Sequence, residues 1–548
     1  EAGRGAMTSG ADGTVAIGYA ASQALTSGAG NLAIGYEALK VHTTGARNIA
    51  IGYGAMDDTD AGSTSLGSTE NIFIGKDSGG GTWADAASSY NVAIGNNTMD
   101  AALNGALYNM AMGYGALGAL TEGDSNLAIG HGAGTALTTG LGNILLGRGA
   151  GDAMTTNSGV IAIGYSAASA LNNNNGNYSV IIGYEAGQQK TSGNTDHLIG
   201  YRSGYAITTG YYNVANGVET LRFNQTGYGN VAIGYRASMN TTSSLNVSIG
   251  LEAGKGKTAA PYNSGEANIS IGPYTNHTVS TGKRNVSVGQ SAGYAMETGT
   301  DNTLLGNNAG YNVKHAVGAT IIGGYAGRYA SGSYNTFVGY NAGDGGTTSA
   351  PFSSGANNIA VGKSALVAFT TGHSNIAIGY EAMSAATTAH DSIAIGYQAL
   401  QNGGQDNNIA IGYQAGQSIT SARYNVIIGD SAGNALSTSD TNENVFIGNS
   451  AGRTADAATN AAHYNVYVGS GAGYYMDDGD SNVYIGREAG KGSGTGNNAT
   501  QNVIVGYQSG FDITTGDSNV LLGYQAGDNA STLGNSIGIG YQSLGGAN

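Results

Sequence analysis

Histidine is the side chain best suited to acid–base catalysis near neutral pH, and this sequence holds eight of them. A catalytic site needs titratable groups that converge in one pocket. The histidines instead stand at unrelated positions of the sequence repeat described below, and none has the partners of a catalytic triad. Among the histidines only His197, which follows Asp196, interrupts a strand position that is usually Val or Ile. We therefore expect no catalytic residues and no enzymatic activity.

Carboxylate oxygens are the ligands that Ca²⁺ prefers, and two short acidic clusters offer them. The clusters are Asp57, Asp58 and Asp60, and Asp477, Asp478 and Asp480. Such clusters are more typical of solvated turns, and the Ca²⁺-binding nonapeptide of other β-rolls does not recur. The Gly-His-Gly-Ala-Gly segment at residues 130–134 belongs to the sequence repeat and is not a phosphate-binding loop in a βαβ unit. We expect no metal site and no bound cofactor.

The composition excludes several classes of protein. Glycine supplies 96 of the 548 residues and proline only three, whereas collagen combines a strict three-residue glycine period with abundant proline. A disordered chain would not carry 40% apolar residues at fixed spacing. The formal charge of −15 provides no basic surface for nucleic acid, and no apolar run is long enough for membrane insertion. The absence of cysteine excludes disulfides and thiolate metal sites.

A short repeat dominates the sequence. Its motif is Asn, an aliphatic residue, a small residue, Ile or Val, Gly, and often Tyr, and about thirty copies follow one another, most often 17 residues apart. The first motif glycines are Gly18, Gly35, Gly52, Gly75, Gly95, Gly113, Gly130 and Gly147. A period this short excludes helical-hairpin repeats. The pattern predicts an all-β fold, a parallel β-solenoid or β-roll of about thirty 17-residue coils, as one continuous domain over residues 1–548.

The motif predicts a short strand with two apolar faces. Leu32 and Ile34 lie two residues apart and so share a face, which we expect to be the core of the solenoid. The residue between them, Ala33, becomes large in later copies such as Phe337 and Tyr467. A strand that is apolar on both faces is normally buried on both, so a parallel bundle of chains is expected to cover this second face. For the early copies an exposed alanine is an equally good interpretation.

Other positions of the repeat have their own expected roles. The motif glycine predicts a turn with positive φ, and the small residue three positions later, as in Ala38, predicts a second short strand packed closely on the first. Asparagines four residues before the glycine should stack into a hydrogen-bonded ladder. The tyrosine after the glycine, as in Tyr36, predicts an aromatic stripe on the surface.

Longer intervals between motifs predict loops, and loops of repeat proteins often bind ligands. The segments at 260–265 and 350–355 resemble each other and contain Tyr262 and Phe352. Trp83 also lies in a long interval and is a candidate to stack on a sugar. These three residues are the candidate binding positions, although neutral variation in loop length is the more common explanation for such insertions.

Two recurring units, Asn-Val-Ala-Ile-Gly at 91–95 and Ala-Leu-x-x-x-Thr-Thr-Gly at 38–45, resemble the repeats of phage tail-fibre and bacterial surface-fibre proteins. They are also similar to the head repeats of trimeric autotransporter adhesins, whose period is shorter. The resemblance implies a homotrimeric fibre shaft, extracellular on a virion or a cell surface. It further implies attachment to a host through a glycan or protein receptor.

Other functions remain open from the sequence alone. A self-assembling extracellular filament needs the same repeat without a receptor. An ice-binding solenoid needs a flat threonine ladder, whereas the threonine pairs here occur in a minority of copies and drift in position. A polysaccharide-degrading solenoid needs acidic residues that meet in one groove, and the sequence shows no such cluster.

Overall fold

The computed structural model describes residues 2–3, 8–59, 67–172, 176–258, 262–346, 352–403, 406–436, 441–453, 462–494, 496–529 and 531–546. The chain divides into two compact units, Glu1–Tyr274 and Thr275–Asn548. Within the described residues, each unit contains fifteen strands of three residues, and the helical part is a single 3-10 turn at Ser9–Ala11.

The first unit contains strands β1 to β15. They are Val15–Ile17, Leu32–Ile34, Ile49–Ile51, Ile72–Ile74, Val92–Ile94, Met110–Met112, Leu127–Ile129, Ile144–Leu146, Ile161–Ile163, Val180–Ile182, His197–Ile199, Val214–Asn216, Val231–Ile233, Val247–Ile249 and Ile269–Ile271.

The second unit contains strands β16 to β30. They are Val286–Val288, Thr303–Leu305, Thr320–Ile322, Thr336–Val338, Ile359–Val361, Ile376–Ile378, Ile393–Ile395, Ile409–Ile411, Val426–Ile428, Val445–Ile447, Val466–Val468, Val483–Ile485, Val503–Val505, Val520–Leu522 and Ile537–Ile539.

Within each unit, every strand pairs in parallel with the next strand along the chain, at equivalent positions of the repeat. Val15 lies beside Leu32 and Ala16 beside Ala33, and the same register joins Ile376 to Ile393. One motif therefore forms one coil, and the prediction of an all-β parallel β-solenoid with coils of about 17 residues is confirmed in both units. A single continuous domain over 1–548 stays a prediction.

The strand faces are the reverse of the expected ones. The middle residue of each strand points into the coil, so Ala33 and Phe337 are fully buried, whereas Leu32 and Ile34 are only partly covered. The burial pattern of the strands is nearly always partly exposed, buried, partly exposed, as in Ile161–Ile163. The prediction that the flanking aliphatic residues form the core was therefore wrong.

Two core positions compensate in size in many of the coils. In many coils whose middle strand residue is alanine, such as Ala33 and Ala377, a buried Leu or Met stands six positions later, at Leu39 and Met383. Where the middle residue is aromatic, that later position is glycine, as in Phe337 with Gly343. A Cβ atom on Gly343 would lie 2.6 Å from the Phe337 ring. Such volume matching is what a close-packed interior requires.

The segment after each strand is a turn, which corrects the prediction of a second strand there. Gly35 has φ of 140°, as expected, and a Cβ at this position would lie 2.1 Å from the carbonyl oxygen of Gly52 in the next coil. Ala38 is fully buried, as expected for a position that is occupied by a small residue. Glu37 and Leu39 have φ values of 59° and 52°, and this left-handed conformation does not continue a strand. It also explains why glycine so often replaces Leu39 in other coils.

Candidate functional site: the outer strand face and its borders

The outer strand face consists of the first and third residues of β1–β15 in one unit and of β16–β30 in the other. These residues form two parallel columns, mostly of Val, Ile and Leu side chains, which the described residues of the same unit leave partly exposed. In β6, for example, Met110 and Met112 keep 43% and 42% of their surface exposed around the buried Ala111. The uncovered apolar face is thus on the opposite side of the strand from the one predicted. Each strand nevertheless has two apolar faces, one inside the coil and one on the outside.

Polar side chains interrupt the outer strand face at a few positions. His197 begins β11 and Asn216 ends the adjacent β12, and both are exposed. Thr303, Thr320 and Thr336 begin three successive strands of the second unit. His197 therefore points away from the buried Asp196 beside it in sequence and forms no catalytic pair with that residue.

A column of tyrosines directly follows the motif glycines, as predicted. Tyr19, Tyr36 and Tyr53 stack with ring centroids 5.1 and 4.9 Å apart, and further stacks repeat this arrangement in both units. A cation ends some stacks, such as Lys363, whose Nζ lies 5.5 Å from the centre of the Tyr380 ring. Because stacked rings cover one another's faces, the column presents ring edges and hydroxyls. It is therefore poorly suited to stacking on sugars.

A second set of tyrosines lies at the other end of the strands, one residue before the ladder position, which is asparagine in every case except Ser179, and sequence reasoning missed it. These side chains are exposed, up to 67% for Tyr178, and their backbones are left-handed. Tyr90 and Tyr108 stack with their centroids 5.0 Å apart. The signal was available as Tyr before Asn in several motifs. The members are Tyr90, Tyr108, Tyr178, Tyr212, Tyr334, Tyr424 and Tyr464.

The asparagine ladder is confirmed. Nδ2 of Asn126 donates to Oδ1 of Asn109 in the preceding coil at 3.0 Å, and the backbone N–H of Asn126 donates to the same oxygen at 2.9 Å. Nδ2 also donates to the carbonyl of Gly140 in the following turn at 2.8 Å. Each buried amide thus has all of its main partners within the solenoid. The ladder holds the coils together and is not a binding site.

One coil replaces the ladder asparagine by a buried ion pair. Asp196 stands at the ladder position and contacts the ammonium of Lys190, and neither side chain is exposed to solvent. Burial lowers the pKa of Lys190 and raises the pKa of Asp196, while the charge of each partner opposes these shifts. Lys190 itself occupies a core position, which the sequence analysis did not single out.

A column of charges with alternating sign crosses five successive coils of the first unit, two residues after the motif glycine. Arg202 Nε donates to Glu185 at 2.7 Å, and Arg236 Nε donates to Glu219 at 2.7 Å. Glu252 continues the series at 3.8 Å from Arg236. The hydrogen bond to Glu185 raises the pKa of Arg202. The charges satisfy one another along the axis, so they stabilise the order of the coils.

The structure corrects the expectation for Trp83. The indole is fully buried against Phe73, with ring centroids 5.7 Å apart, and its Nε1 donates to the carbonyl of Gly79 at 3.1 Å. It fills the core and cannot stack on a sugar in this conformation. Tyr262 and Phe352 are partly exposed instead, and each packs on another ring, Phe223 and Tyr329 respectively.

The two acidic clusters behave as parts of turns. Asp477 Oδ2 accepts from the N–H of Gly496 at 2.5 Å, and Asp480 Oδ1 accepts from the N–H of His463 at 2.7 Å. Asp57 is half-buried, and burial together with nearby carboxylates raises its pKa to about 6. Asp60 lies outside the described residues. Among the residues that the structure describes, no three metal-ligating side chains come together.

A membrane-spanning helix would be a further kind of functional element. In the described ranges no helix is long and apolar enough to cross a membrane. The candidate site is therefore the outer strand face with its tyrosine borders. No protein-family model matches the chain, and a comparison with curated proteins gives no significant match.

Proposed function

We propose that the chain is a structural subunit of an extracellular fibre, in which parallel copies pack through the outer strand face. The single observation that carries the proposal is the pair of partly exposed aliphatic columns that run along each unit, as in β6 and β21. Contiguous exposed apolar surface marks an interaction site. In this fibre the buried outer strand face is the interface between copies.

A second copy of the same chain is the occupant that fits this surface best. The columns repeat with the spacing between parallel strands, about 4.8 Å, and a copy of the chain offers the same ladder at the same interval. Closed rotational symmetry then covers the face of every subunit equally. The resemblance to fibre proteins favours three copies. Tyrosines at both ends of the strands suit the rim of such an interface, since each has an apolar ring and a polar hydroxyl.

The fibre is proposed to attach a virion or a cell to its host through a glycan or protein receptor. This adhesive role rests on the resemblance to fibre proteins and on the partly exposed loop aromatics Tyr262 and Phe352. The loops are set apart from the outer strand face in sequence, so the receptor and the other copies need not compete for the same residues.

Binding of fluorescently labelled protein to immobilised surface glycans and to candidate host cells tests the adhesive role. The variant Tyr262→Ala/Phe352→Ala is expected to assemble normally and to lose at least tenfold in binding. Tyr294→Ala, at a partly exposed tyrosine that belongs to neither tyrosine border, is the matched control and should bind like the unmodified chain. Assembly without binding to any cell or glycan would contradict adhesion and favour a filament subunit.

A further inference from the structure

Lys190 and Asp196 depart from the repeat together. Lys190 stands ten residues before its motif glycine, where other coils bury Leu120, Leu137 or Ile207 in the core. Asp196 stands where most coils have the ladder asparagine. Among the described residues no other lysine is buried. A buried amine and a buried carboxyl thus meet in one coil.

The surrounding atoms hold the two groups in contact. The Lys190 ammonium contacts Oδ2 of Asp196 and donates to the carbonyls of Ser192 at 3.0 Å and Gly210 at 3.1 Å. Oδ1 of Asp196 accepts from the backbone N–H of Asn213 at 2.7 Å. Neither side chain is exposed, so bulk water does not separate them. Two reactive groups held at contact distance react as if at very high concentration.

The dry environment favours the reactive forms of both groups. Burial acts against the ammonium and against the carboxylate, as the lowered pKa of Lys190 and the raised pKa of Asp196 reflect. Transfer of one proton from nitrogen to oxygen gives a neutral amine, which is nucleophilic, beside a neutral carboxylic acid. It also removes two buried charges.

We propose that Lys190 and Asp196 condense into an isopeptide bond between Nζ and Cγ. The nitrogen lone pair attacks Cγ, the N–C bond forms and the bond from Cγ to Oδ2 breaks. Two protons from nitrogen leave with that oxygen as water, so an ammonium and a carboxylate become an amide and water without any oxidant or cofactor. The amide N–H still has the Ser192 and Gly210 carbonyls as acceptors. The remaining oxygen still accepts from Asn213.

Tryptic mapping of the full chain under denaturing conditions tests the bond directly. Trypsin does not cleave after an acylated lysine, and Lys190 is the only lysine or arginine in residues 149–201. The reacted chain is expected to give one peptide, 149–202, lighter by one water molecule, with fragment ions that join Lys190 to Asp196. Separate peptides 149–190 and 191–202 without loss of water would overturn the proposal. Loss of water from 191–202 alone would also overturn it, since that result indicates a succinimide at Asp196.

Two controls separate reaction from simple contact. Lys491 and Glu488 form an ammonium–carboxylate contact of 2.8 Å, but their side chains keep 24% and 20% of their surface exposed. This pair should stay unreacted and trypsin should cleave after Lys491.

The double variant Lys190→Met/Asp196→Asn restores the usual core and ladder residues, and it should fold with its full calculated mass. Loss of water in that variant would assign the change to another site. The proposal is independent of the fibre assembly, because both groups belong to one chain.

Discussion

The Asn48 side chain donates from Nδ2 to Oδ1 of Asn31 at 3.2 Å, and the backbone N–H of Asn48 donates to the same oxygen at 2.8 Å. Oδ1 of Asn48 then accepts two equivalent bonds from Asn71. One amide per coil thus satisfies the buried backbone at the entry to each strand. A ladder of this kind is sensitive to the loss of a single member.

We expect Asn444→Ala to destabilise the second unit by about 2 kcal/mol, because it leaves buried donors and an acceptor without partners. Asn444 accepts from the backbone and side chain of Asn465, and it donates to the carbonyl of Ala462 at 2.8 Å. Chemical denaturation followed by circular dichroism measures the effect. Asn449→Ala, at an exposed position of the same coil, is the control and should change stability little. Equal losses in both variants would be inconsistent with a structural ladder.

The volume match between Phe337 and Gly343 predicts strong coupling. Phe337→Ala should cost about 3–5 kcal/mol through the cavity that it creates. Adding Gly343→Leu should restore much of this loss, because Ala with Leu is the pairing found at Ala33 and Leu39, and Leu39 has the same left-handed backbone as Gly343. Gly343→Leu alone should be strongly destabilising. Additive effects in a double-mutant cycle would refute the match.

Alanine substitutions at Gly323 and at the adjacent Gly324 test whether the turn requires glycine at the motif position. Gly323 has φ of 134°, and a Cβ there would lie 2.4 Å from the carbonyl oxygen of Gly339. At Gly324 a Cβ would meet only ordinary contacts with the Tyr340 ring, the nearest at 3.5 Å. Gly323→Ala is expected to cost more than about 3 kcal/mol through strain and collision, whereas Gly324→Ala should fall within about 0.5 kcal/mol of the unmodified chain. Thermal melting compares the two, and similar melting points would contradict the proposed role of the motif glycine.

The raised pKa of Asp57 predicts a pH-dependent stability. Its pKa of about 6 in the folded chain lies above the ordinary 3.8, so the folded state binds the proton more tightly. This contribution to stability is complete below about pH 4 and is lost as the pH rises through about 6. Asp57→Asn should therefore stabilise the first unit by about 1 kcal/mol at pH 7, after allowance for solvent screening, with a smaller effect at pH 4.

Asp301 is the control with the opposite sign. Its hydrogen bond with Arg284 lowers its pKa, so its contribution is present above the ordinary pKa of the carboxyl and is lost as the pH falls. Melting points of the Asp57→Asn and Asp301→Asn variants from pH 2 to pH 7 compare the two, and the loss caused by Asp301→Asn should shrink only below about pH 4. A gain from Asp57→Asn that is the same at pH 4 and at pH 7 would contradict the titration of Asp57.

The repeat spacing was sufficient to predict the coil, its register, the asparagine ladder and the tyrosine column. Period-two alternation does not tell which side of a strand faces inwards, and both faces here are apolar. The pairing of Ala33 with Leu39 and of Phe337 with Gly343 was the signal in the sequence that the middle residue is internal, because only residues that share one cavity need to compensate in volume.

Side-chain partners across coils were harder to foresee. Trp83 lies in a long interval, and its burial depends on the space beside Phe73, which sequence position alone does not reveal. Lys190 was not singled out from the sequence, because lysine is rarely buried without a partner. Its partner Asp196 drew attention only because His197 follows it in sequence. The side chains of Asp196 and His197 lie on opposite sides of the strand.

Sedimentation equilibrium of the full chain tests the proposed assembly most directly. We expect the mass of more than one chain, three by the resemblance to fibre proteins. We also expect that Ile359→Lys/Ile378→Lys, on the outer strand face of adjacent strands, keeps the β-sheet circular dichroism spectrum but loses assembly. A well-folded monomer of the unmodified chain at micromolar concentration, unchanged by the substitutions, would contradict the central claim that copies of the chain cover this face.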